Sequence, residues 1–192
     1  MAKGLSAESI TVAAAELIEQ YGRSGFSMRL LADTMGVKTA SLYNHIENMD
    51  TLLTEVCRYA LRMQEDGELR AIAEKTGREA VWALAWAYRR FAQQHRELYW
   101  LVMDTAAGEP RVLDDAAARF TEPLKQVFSG FRLPPREEIH FRRMFRAIVH
   151  GFASQEDEGF FSHYPASTEL SFEFAIQRFI DCVLEAEKRN PS

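Results

Sequence analysis

Apolar residues recur at intervals of three and four along nearly the whole chain, which is the spacing of one face of an amphipathic α-helix. The first stripe of this kind runs from Ile10 to Tyr21, with Ser6 placed to cap its start and Gly22 placed to end it. No stretch alternates apolar and polar residues convincingly enough to predict a β-strand. The pattern therefore predicts an all-α protein with about nine helices.

Three short helices are predicted in the N-terminal part of the chain, before the longer helices begin. The second begins at a cap on Ser27 and ends at Gly36, and the third covers about residues 39–46. A fourth helix begins near residues 48–50 and connects this part to the rest of the chain. These elements predict an N-terminal three-helix domain over residues 1–50.

The remainder of the chain predicts longer helices. The connecting helix is predicted to run to about Gln64, and the predicted helical segments become longer after Gly67. Glycine and proline, which end helices for backbone reasons, separate the segments that follow. We expect a regulatory bundle over residues 51–192, with helices near residues 78–94, 96–104, 113–130, 135–158 and 168–188.

The spacing around Gly36 is typical of a helix-turn-helix. Two short helices can cross steeply when a small residue lies where their backbones meet and a residue at ease with positive φ forms the turn. Ala32 and Gly36 meet these two requirements. The same spacing also occurs in bundles that never bind DNA, and on spacing alone the two interpretations stand about equal. Apolar residues anchor the second helix on the first: Leu31, Met35, Val37 and Leu42.

The outward face of the second helix of this motif suits the major groove of DNA. Its residues are short or polar, so the helix can lie close to base edges. Ser27 offers a hydroxyl and free amides to a phosphate, and Arg29 can reach the DNA backbone or a guanine. The sequence predicts a DNA-binding set of nine residues: Ser27, Arg29, Lys38, Thr39, Ala40, Ser41, Tyr43, Asn44 and His45.

Short motifs in this region occur in a characteristic order: Tyr21-Gly22, Gly25-Phe26-Ser27, Leu31-Ala32, Gly36-Val37, Ser41-Leu42-Tyr43-x-His45-Ile46 and Asn48-x-x-x-Leu52-Leu53. Over about residues 7–56 the sequence resembles the tetracycline-repressor (TetR) family of bacterial transcription regulators. The resemblance implies a homodimer whose two recognition helices bind the half-sites of a near-palindromic operator. It also implies DNA contacts by every member of the DNA-binding set except Lys38.

Two departures from the family pattern bear on DNA affinity. Met49 stands where the family commonly has a lysine that contacts phosphate, and the acids Glu47 and Asp50 flank it. Residues 1–60 hold five Lys and Arg against seven Asp and Glu, and the whole chain has a net charge of −5, so a broad positive field is absent. We expect weak non-specific binding with marked salt sensitivity.

Composition excludes several other classes of protein. The 192 residues are 47% hydrophobic and include 13 Phe, which excludes a disordered chain. Two distant cysteines exclude a disulfide scaffold and a cysteine-based zinc site. No signal peptide is recognisable, and no apolar run reaches the roughly 18 residues of a membrane span. We expect a cytoplasmic protein without cofactor or metal.

Large side chains in the C-terminal half predict a pocket for a small apolar or aromatic effector. Trp82 and Trp86 lie one turn apart on a face separate from the main apolar stripe, as expected of a helix buried on two sides. Ordinary core packing explains each residue, taken singly, at least as well. Arg89 and Arg90 can pair with a ligand carboxylate or face water, and we expect them to face water. The predicted ligand set is Trp82, Trp86, Tyr99, Trp100, Met103, Phe120, Phe128, Phe145 and His150.

Two C-terminal segments, residues 91–103 and 147–160, resemble a TetR subgroup with a Trp-His-Gly signature. The second contains His150-Gly151, with Arg146 where the signature has Trp. Glycine inside a helix costs about 1 kcal/mol relative to alanine. Gly151 therefore predicts a close helix approach or a pocket wall, and a satisfied core histidine is the alternative for His150.

The last two predicted helices carry more apolar surface than one chain is expected to cover. An isologous four-helix interface between two copies would explain this surface. The residues that predict it are Phe141, Phe145, Phe152, Phe174, Phe179, Cys182 and Val183.

Catalytic motifs are missing from the sequence. Glu137-x-x-His140 is one Glu-x-x-His pair, whereas a di-iron bundle needs two. The acidic runs at residues 114–115, 137–138 and 156–158 are expected to be helix-start or solvated acids. We therefore predict no enzyme but a ligand-responsive DNA-binding repressor. The alternative is a dimeric small-molecule-binding module with little operator affinity.

Overall fold

The computed structural model describes residues 5–108 and 121–190 of the chain. These residues form nine α-helices and one 3₁₀ helix without any β-strand, which confirms the all-α prediction. The α-helices are α1 (Ala7–Gly25), α2 (Met28–Met35), α3 (Thr39–Leu42), α4 (Met49–Ile72), α5 (Gly77–Gln94), α6 (Arg96–Gly108), α7 (Glu122–Phe128), α8 (Pro135–Asp157) and α9 (Thr168–Arg189), and the 3₁₀ helix is Phe160–His163.

The first helix begins and breaks where the sequence predicts. The Ser6 side chain accepts a hydrogen bond from the amide of Ser9 at 3.1 Å, and the Ser9 hydroxyl caps Ser6 in return. Gly22 leaves helical geometry at φ 71°. One further turn follows the break and extends α1 to Gly25, so the glycine kinks the helix before its end.

The third helix is shorter than the predicted segment 39–46. Regular α-helix stops at Leu42, and the amides of His45 and Ile46 then both donate to the Leu42 carbonyl, at 2.9 and 3.0 Å. The chain therefore continues as a tight turn. The correction concerns helix length only, because Ile46 still returns to the core with 7% of its surface exposed.

The connecting helix α4 is longer than predicted, because it passes Gly67 and ends at Ile72. One glycine costs a helix only about 1 kcal/mol, which burial of a continuous face can offset. That face comprises Leu61, Gln64, Glu68 and Ile72, which are all buried. The change to longer segments after Gly67 therefore does not mark a helix boundary.

Contacts divide the chain into two compact units, and the division falls inside α4. One unit holds the residues up to Met63 together with the segment that begins at His95, and so combines α1–α3, the start of α4, and α6. The other holds Gln64–Gln94 and the segment from Thr121. The units do not coincide with the predicted domains, because α6 packs on α1 rather than with its sequence neighbour α5.

The second unit has a core of aromatic and branched residues from α5, α7, α8 and α9. Phe145, Phe179 and Val183 lie inside this core, with at most 2% of their surface exposed. The prediction that these three belong to a dimer face is therefore wrong, since they are already covered within one chain. Phe174 and Cys182 of the same predicted set are exposed.

The helix predicted at residues 113–130 is described only in part. Of the helix expected at residues 113–130, residues 122–128 are helical, and residues 113–120 lie outside the described part of the chain. No helix of the described residues is both long enough and apolar enough to cross a membrane.

Candidate nucleic-acid interface

The turn between α2 and α3 depends on the backbone conformation of one glycine. Gly36 adopts φ 67° and ψ 30°, the left-handed region that favours glycine. Its amide donates to the Asp33 carbonyl at 3.2 Å, and the amide of Val37 donates to the Ala32 carbonyl at 3.0 Å. These bonds satisfy carbonyls at the end of α2 and reverse the chain as a helix-turn-helix requires.

The inner face of this motif is fully buried. Leu31 and Ala32 of α2 and Leu42 of α3 have no exposed surface. Ala32 is small enough to let the two helix backbones approach each other. Because these side chains fix α3 through its inner face, the rest of its surface remains available.

All nine residues of the DNA-binding set lie at the surface of the first unit. Seven are exposed, and Thr39 and Ser41 are half-buried. The Tyr43 ring is 50% exposed, although aromatic rings are usually covered. The set is therefore accessible to solvent, with Ser27 and Arg29 at the start of α2, Lys38 just before α3, and the others on α3 and in the turn that follows.

Two polar side chains cap the helices that flank this surface. The Ser27 hydroxyl oxygen accepts from the amide of Leu30 at 3.1 Å. Asn48 Oδ1 accepts from the amide of Thr51 at 2.9 Å and so fixes the start of α4. The Ser27 hydroxyl proton is not used in its cap and can be donated to a phosphate oxygen.

The charges around α3 are mixed in sign. Arg29 and Lys38 are exposed cations, and three exposed acids lie close to them in sequence: Asp33, Glu47 and Asp50. Arg29 Nε lies 3.8 Å from Asp33 Oδ2, with side chains that are 89% and 71% exposed. Such a pair is screened and weak, so Arg29 can exchange it for a phosphate.

Helix α6 packs against α1 within the first unit, and His95 lies just before its start. His95 Nδ1 lies 3.2 Å from Glu19 Oε1 of α1. Burial raises the pKa of Glu19, and the contact with His95 counteracts part of that rise. Sequence analysis missed this pair, because 76 residues separate its members.

A buried cysteine joins α4 to α6. The Cys57 thiol lies 3.3 Å from Thr105 Oγ1. Burial raises the pKa of this thiol, so it stays protonated and unreactive at neutral pH. Its role within the first unit is packing.

Sequence models of two families match the chain. The family described as bacterial regulatory proteins, tetR family, matches residues 10–56, and tetracyclin repressor-like, C-terminal domain, matches residues 81–179. The second match alone covers more than half of the chain. The chain belongs to the TetR family. It is therefore a DNA-binding transcriptional regulator, and the helix-turn-helix lies where the TetR family places it.

Individual proteins show the same relationship. An uncharacterized HTH-type transcriptional regulator of Bacillus subtilis strain 168, YobS, is 28% identical over 183 residues, 94% of each chain. A protein of unknown function from Rhodococcus sp. RHA1 has a TM-score of 0.79 at 22% identity, covering 94% of this chain and 96% of its own. A TetR variant from Acinetobacter baumannii AYE, solved with minocycline, has a TM-score of 0.68 at 19% identity, covering 98% of this chain and all of its own. The two solved structures share the fold.

The predicted ligand set does not gather in one compact unit. Trp82, Trp86, Phe128, Phe145 and His150 belong to the second unit, whereas Tyr99, Trp100 and Met103 belong to the first. Phe120 lies outside the described residues. Tyr99, Phe128 and Phe145 are each at most 2% exposed, so ordinary core packing, the alternative left open by the sequence, describes them well.

Arg89 does not face water, contrary to the sequence prediction. It is 4% exposed, and its Nε donates to Glu156 Oε2 at 2.8 Å, with a second bond from Nη2 to Oε1. Its guanidinium lies 5.2 Å from the Trp86 ring centre and 4.9 Å from that of Phe172. Glu156, expected to be solvated, is the partner that makes this burial possible. Arg90 is exposed, as predicted.

The surroundings of Gly151 also differ from the expectation. A side-chain carbon built at this glycine would meet nothing within 4 Å, so no helix of the described chain approaches it closely. The neighbouring His150 is half-buried, and burial and the charge of Arg146 lower the pKa of its imidazole. His150 is therefore neutral at pH 7.

The second unit contains a buried carboxyl group that was not predicted from the sequence. Gln64 Nε2 donates to Glu68 Oε1 at 2.8 Å, and burial raises the pKa of Glu68 to about 7. The signal was present, because both residues share a helical face with the apolar Leu61 and Ile72. No three His, Cys, Asp or Glu side chains in the described ranges come together as a metal site.

Proposed function

We propose that this TetR-family protein is a ligand-responsive repressor that binds a near-palindromic operator as a homodimer. The observation that carries this proposal is the outward surface of α3, held by Leu31, Ala32 and Leu42 on its inner side. A short helix fixed in this way can enter the major groove while its backbone stays rigid. Because a repressor of this kind acts on chromosomal DNA, we also propose that the protein is cytoplasmic.

Different residues of the DNA-binding set have different roles in this proposal. Thr39 and Asn44 hydrogen-bond to base edges, and Ala40 contacts a thymine methyl group. Tyr43 and Lys38 contact phosphate oxygens, which position the helix without reading sequence. The roles of the remaining members are phosphate contacts by Ser27, Arg29 and His45 and a base or backbone contact by Ser41.

Two recognition helices require two copies of the chain, which we propose pair through α8 and α9. These helices expose large apolar side chains, with Leu170 and Phe174 each 64% exposed. The open space at Gly151 on α8 supports the same face, since a partner helix can approach closely there. Half-sites are then expected roughly 34–36 Å apart, one turn of DNA.

Ligand response is proposed from the family and from the course of α4. The Acinetobacter relative was solved with minocycline, and we propose that this chain likewise takes a small apolar or aromatic effector, of a kind its own residues select. Helix α4 begins four residues after His45, the last member of the DNA-binding set, and continues into the second unit. Effector binding would change the separation of the two recognition helices through α4 and release the operator.

The first experiment is Tyr43→Ala, measured by gel retardation on the DNA upstream of the gene. We expect roughly tenfold weaker operator binding, because the variant lacks the proposed phosphate contact of the tyrosine. Dimer mass and thermal melting should remain those of the parent. Equal operator affinity would remove Tyr43 from the interface.

A second set of variants separates base contacts from phosphate contacts. Thr39→Ala and Asn44→Ala should change which operator bases are preferred, whereas Lys38→Ala should weaken all sequences alike and reduce the salt slope by about one. The same pattern for all three variants would contradict the proposed roles.

The acids beside α3 favour one other function, a dimeric small-molecule-binding module with little operator affinity. Asp33, Glu47 and Asp50 repel phosphates, and Met49 adds no charge to attract them. A salt series of gel retardation on the upstream DNA separates the two functions. Sequence-specific shifts support the repressor, and their absence at low salt supports the binding module.

A further inference from the structure

A cleft lies in the second unit where α8 turns into α9. Its volume is about 240 Å³. Six residues line it: Phe152, Phe161, Tyr164, Ala166, Thr168 and Ser171. None of these was part of the ligand set predicted from the sequence. Only the aromatic pair at positions 160–161, directly after Gly159, could have drawn attention to this turn.

Three of the lining side chains are aromatic, and two of their rings are already packed together. The centres of the Phe152 and Phe161 rings lie 5.3 Å apart at an angle of 54°. Phe152 also meets Phe172 edge-on at 5.3 Å. Because Phe172 has no exposed surface, the wall that Phe152 forms is supported from behind.

The support continues inward to Arg89. Phe172 lies 5.3 Å from Trp86, and the Arg89 guanidinium, held by Glu156, lies against both rings. The aromatic wall is therefore backed by Phe172, which itself packs against a guanidinium held in a buried ion pair. A preformed wall reduces the entropy that a ligand must lose on binding.

Two of the lining residues carry aliphatic hydroxyl groups. Ser171 Oγ donates its proton to the Ser167 carbonyl at 3.1 Å, so its lone pairs can accept a hydrogen bond from a ligand. Thr168 brings a second hydroxyl, in the first turn of α9. None of the six lining residues is charged.

We propose that this cleft binds a planar, uncharged aromatic compound of one or two rings that carries a phenolic hydroxyl. The ligand rings pack against the wall formed by Phe152 and Phe161 and against Tyr164, and the ligand hydroxyl donates to Ser171 while accepting from Thr168. This inference rests on the part of the proposed function that assigns an aromatic effector, and it does not depend on DNA binding.

The experiment titrates the full chain with 2-naphthol by calorimetry and by saturation-transfer NMR. Decahydro-2-naphthol, which has the same carbon skeleton without aromatic rings, is the matched probe. We expect saturable binding of 2-naphthol and at least tenfold weaker binding of the saturated alcohol. Absence of saturation at 1 mM 2-naphthol, or equal affinity for both probes, overturns the proposal.

Two variants locate the site. Phe161→Ala removes a half-buried wall residue and should weaken 2-naphthol binding at least tenfold, whereas Tyr21→Ala removes an exposed ring of α1 in the first unit and should not change it. Thr168→Val keeps the side-chain shape and should weaken binding by a factor of about two to ten, the value of one hydrogen bond. Unchanged binding in Phe161→Ala places the ligand elsewhere and overturns the proposal.

Two further measurements show whether a negative result contradicts the cleft inference or the proposed repressor function. If Phe161→Ala dissociates the dimer and the parent binds no 2-naphthol, the cleft belongs to the interface between two copies, and the proposal is overturned. Operator retardation is measured on the same preparations. Operator binding without 2-naphthol binding overturns this inference alone, and 2-naphthol binding without operator binding overturns the repressor function alone.

Discussion

Arg29 and Asp33 face each other across one turn of α2, with Arg29 Nε 3.8 Å from Asp33 Oδ2. Both side chains point into water, where such a pair contributes at most about 1 kcal/mol. The carboxylate nevertheless lies beside a guanidinium that we propose contacts phosphate. DNA binding must therefore replace one weak ion pair by another and bring Asp33 towards a polyanion.

Asp33→Asn is expected to tighten operator binding by about two- to fivefold at low salt, because it removes that repulsion. Fluorescence anisotropy across a salt series measures the change. Asp66→Asn, the same substitution at an exposed acid of α4, serves as control and should have no effect. In an Arg29→Ala background the gain should shrink, and a gain of the same size there would show that the two residues act independently.

Met49→Lys is expected to add one phosphate contact at the start of α4. Specific and non-specific DNA should both bind more tightly, and the salt slope should become steeper by about one. Gln126→Lys on α7 adds the same charge at an exposed position of the second unit and is the control. An unchanged slope in the Met49 variant, measured by the same anisotropy titrations, would mean that this position does not reach the DNA.

Gly36→Ala and Gly67→Ala are expected to change stability in opposite directions. An alanine at φ 67° costs about 1–2 kcal/mol, although a side-chain carbon at Gly36 would have open space. Gly67 lies inside α4, also with open space around it, so alanine there should stabilise by up to about 1 kcal/mol. Urea denaturation measures both, and destabilisation by Gly67→Ala would show that its flexibility is not a cost.

Glu68 is expected to make stability fall as the pH rises from about 5 to 8. Its pKa of about 7 in the folded chain exceeds its ordinary value of 4.5, so the unfolded chain loses the proton first and gains from deprotonation. The contribution of the neutral carboxyl is complete below about pH 4.5 and is lost as the pH passes 7. Nearby Arg146 opposes this shift, and Glu65 adds to it.

Glu68→Gln removes this titration and is the test. The stability of the parent relative to the variant should decrease by an amount on the order of 1 kcal/mol between pH 6 and pH 8, measured by urea denaturation. Glu185→Gln, at an exposed position of α9, should show no such trend. His150 acts at the acidic end, since its lowered pKa makes its protonation unfavourable to folding. A parallel pH dependence of parent and Glu68→Gln would contradict the prediction.

Leu170→Asp combined with Phe174→Asp is expected to yield monomers, measured by light scattering on a sizing column. Both side chains are 64% exposed in the single chain, so helical content should be preserved. Operator affinity should fall with dimerisation, because the two half-sites are then bound separately. Tyr21→Asp changes a similarly exposed ring in the first unit and should leave the mass of the dimer unchanged. A dimeric double variant would place the interface on another surface.

The helix-turn-helix could be predicted from the sequence because its determinants are local. Ser6, Ser27 and Asn48 cap helices by bonds to amides three residues away, and Gly36 ends α2 through its own φ. Rules for caps and turns depend only on neighbours in sequence. Residue spacing was therefore enough to predict that these helices exist and which side of α3 is covered.

Features that depend on distant residues could not be predicted in the same way. The pairing of Arg89 with Glu156 joins positions 67 apart, and without it a solvent-exposed arginine is the ordinary expectation. The division of the predicted ligand set between two units has the same origin, because composition identifies large side chains but not which of them meet. The length of α4 was missed because burial of its far end offsets the cost of Gly67.

The buried pair of Arg89 and Glu156 restricts how this sequence can drift. Loss of either partner alone would leave the other charge unpaired in a largely buried place and cost about 3–5 kcal/mol, a large share of the roughly 5–15 kcal/mol that holds a protein folded. Two apolar residues of similar volume can replace both partners without that penalty. Descendants of this chain should thus keep both members or exchange both, with single replacements surviving only briefly.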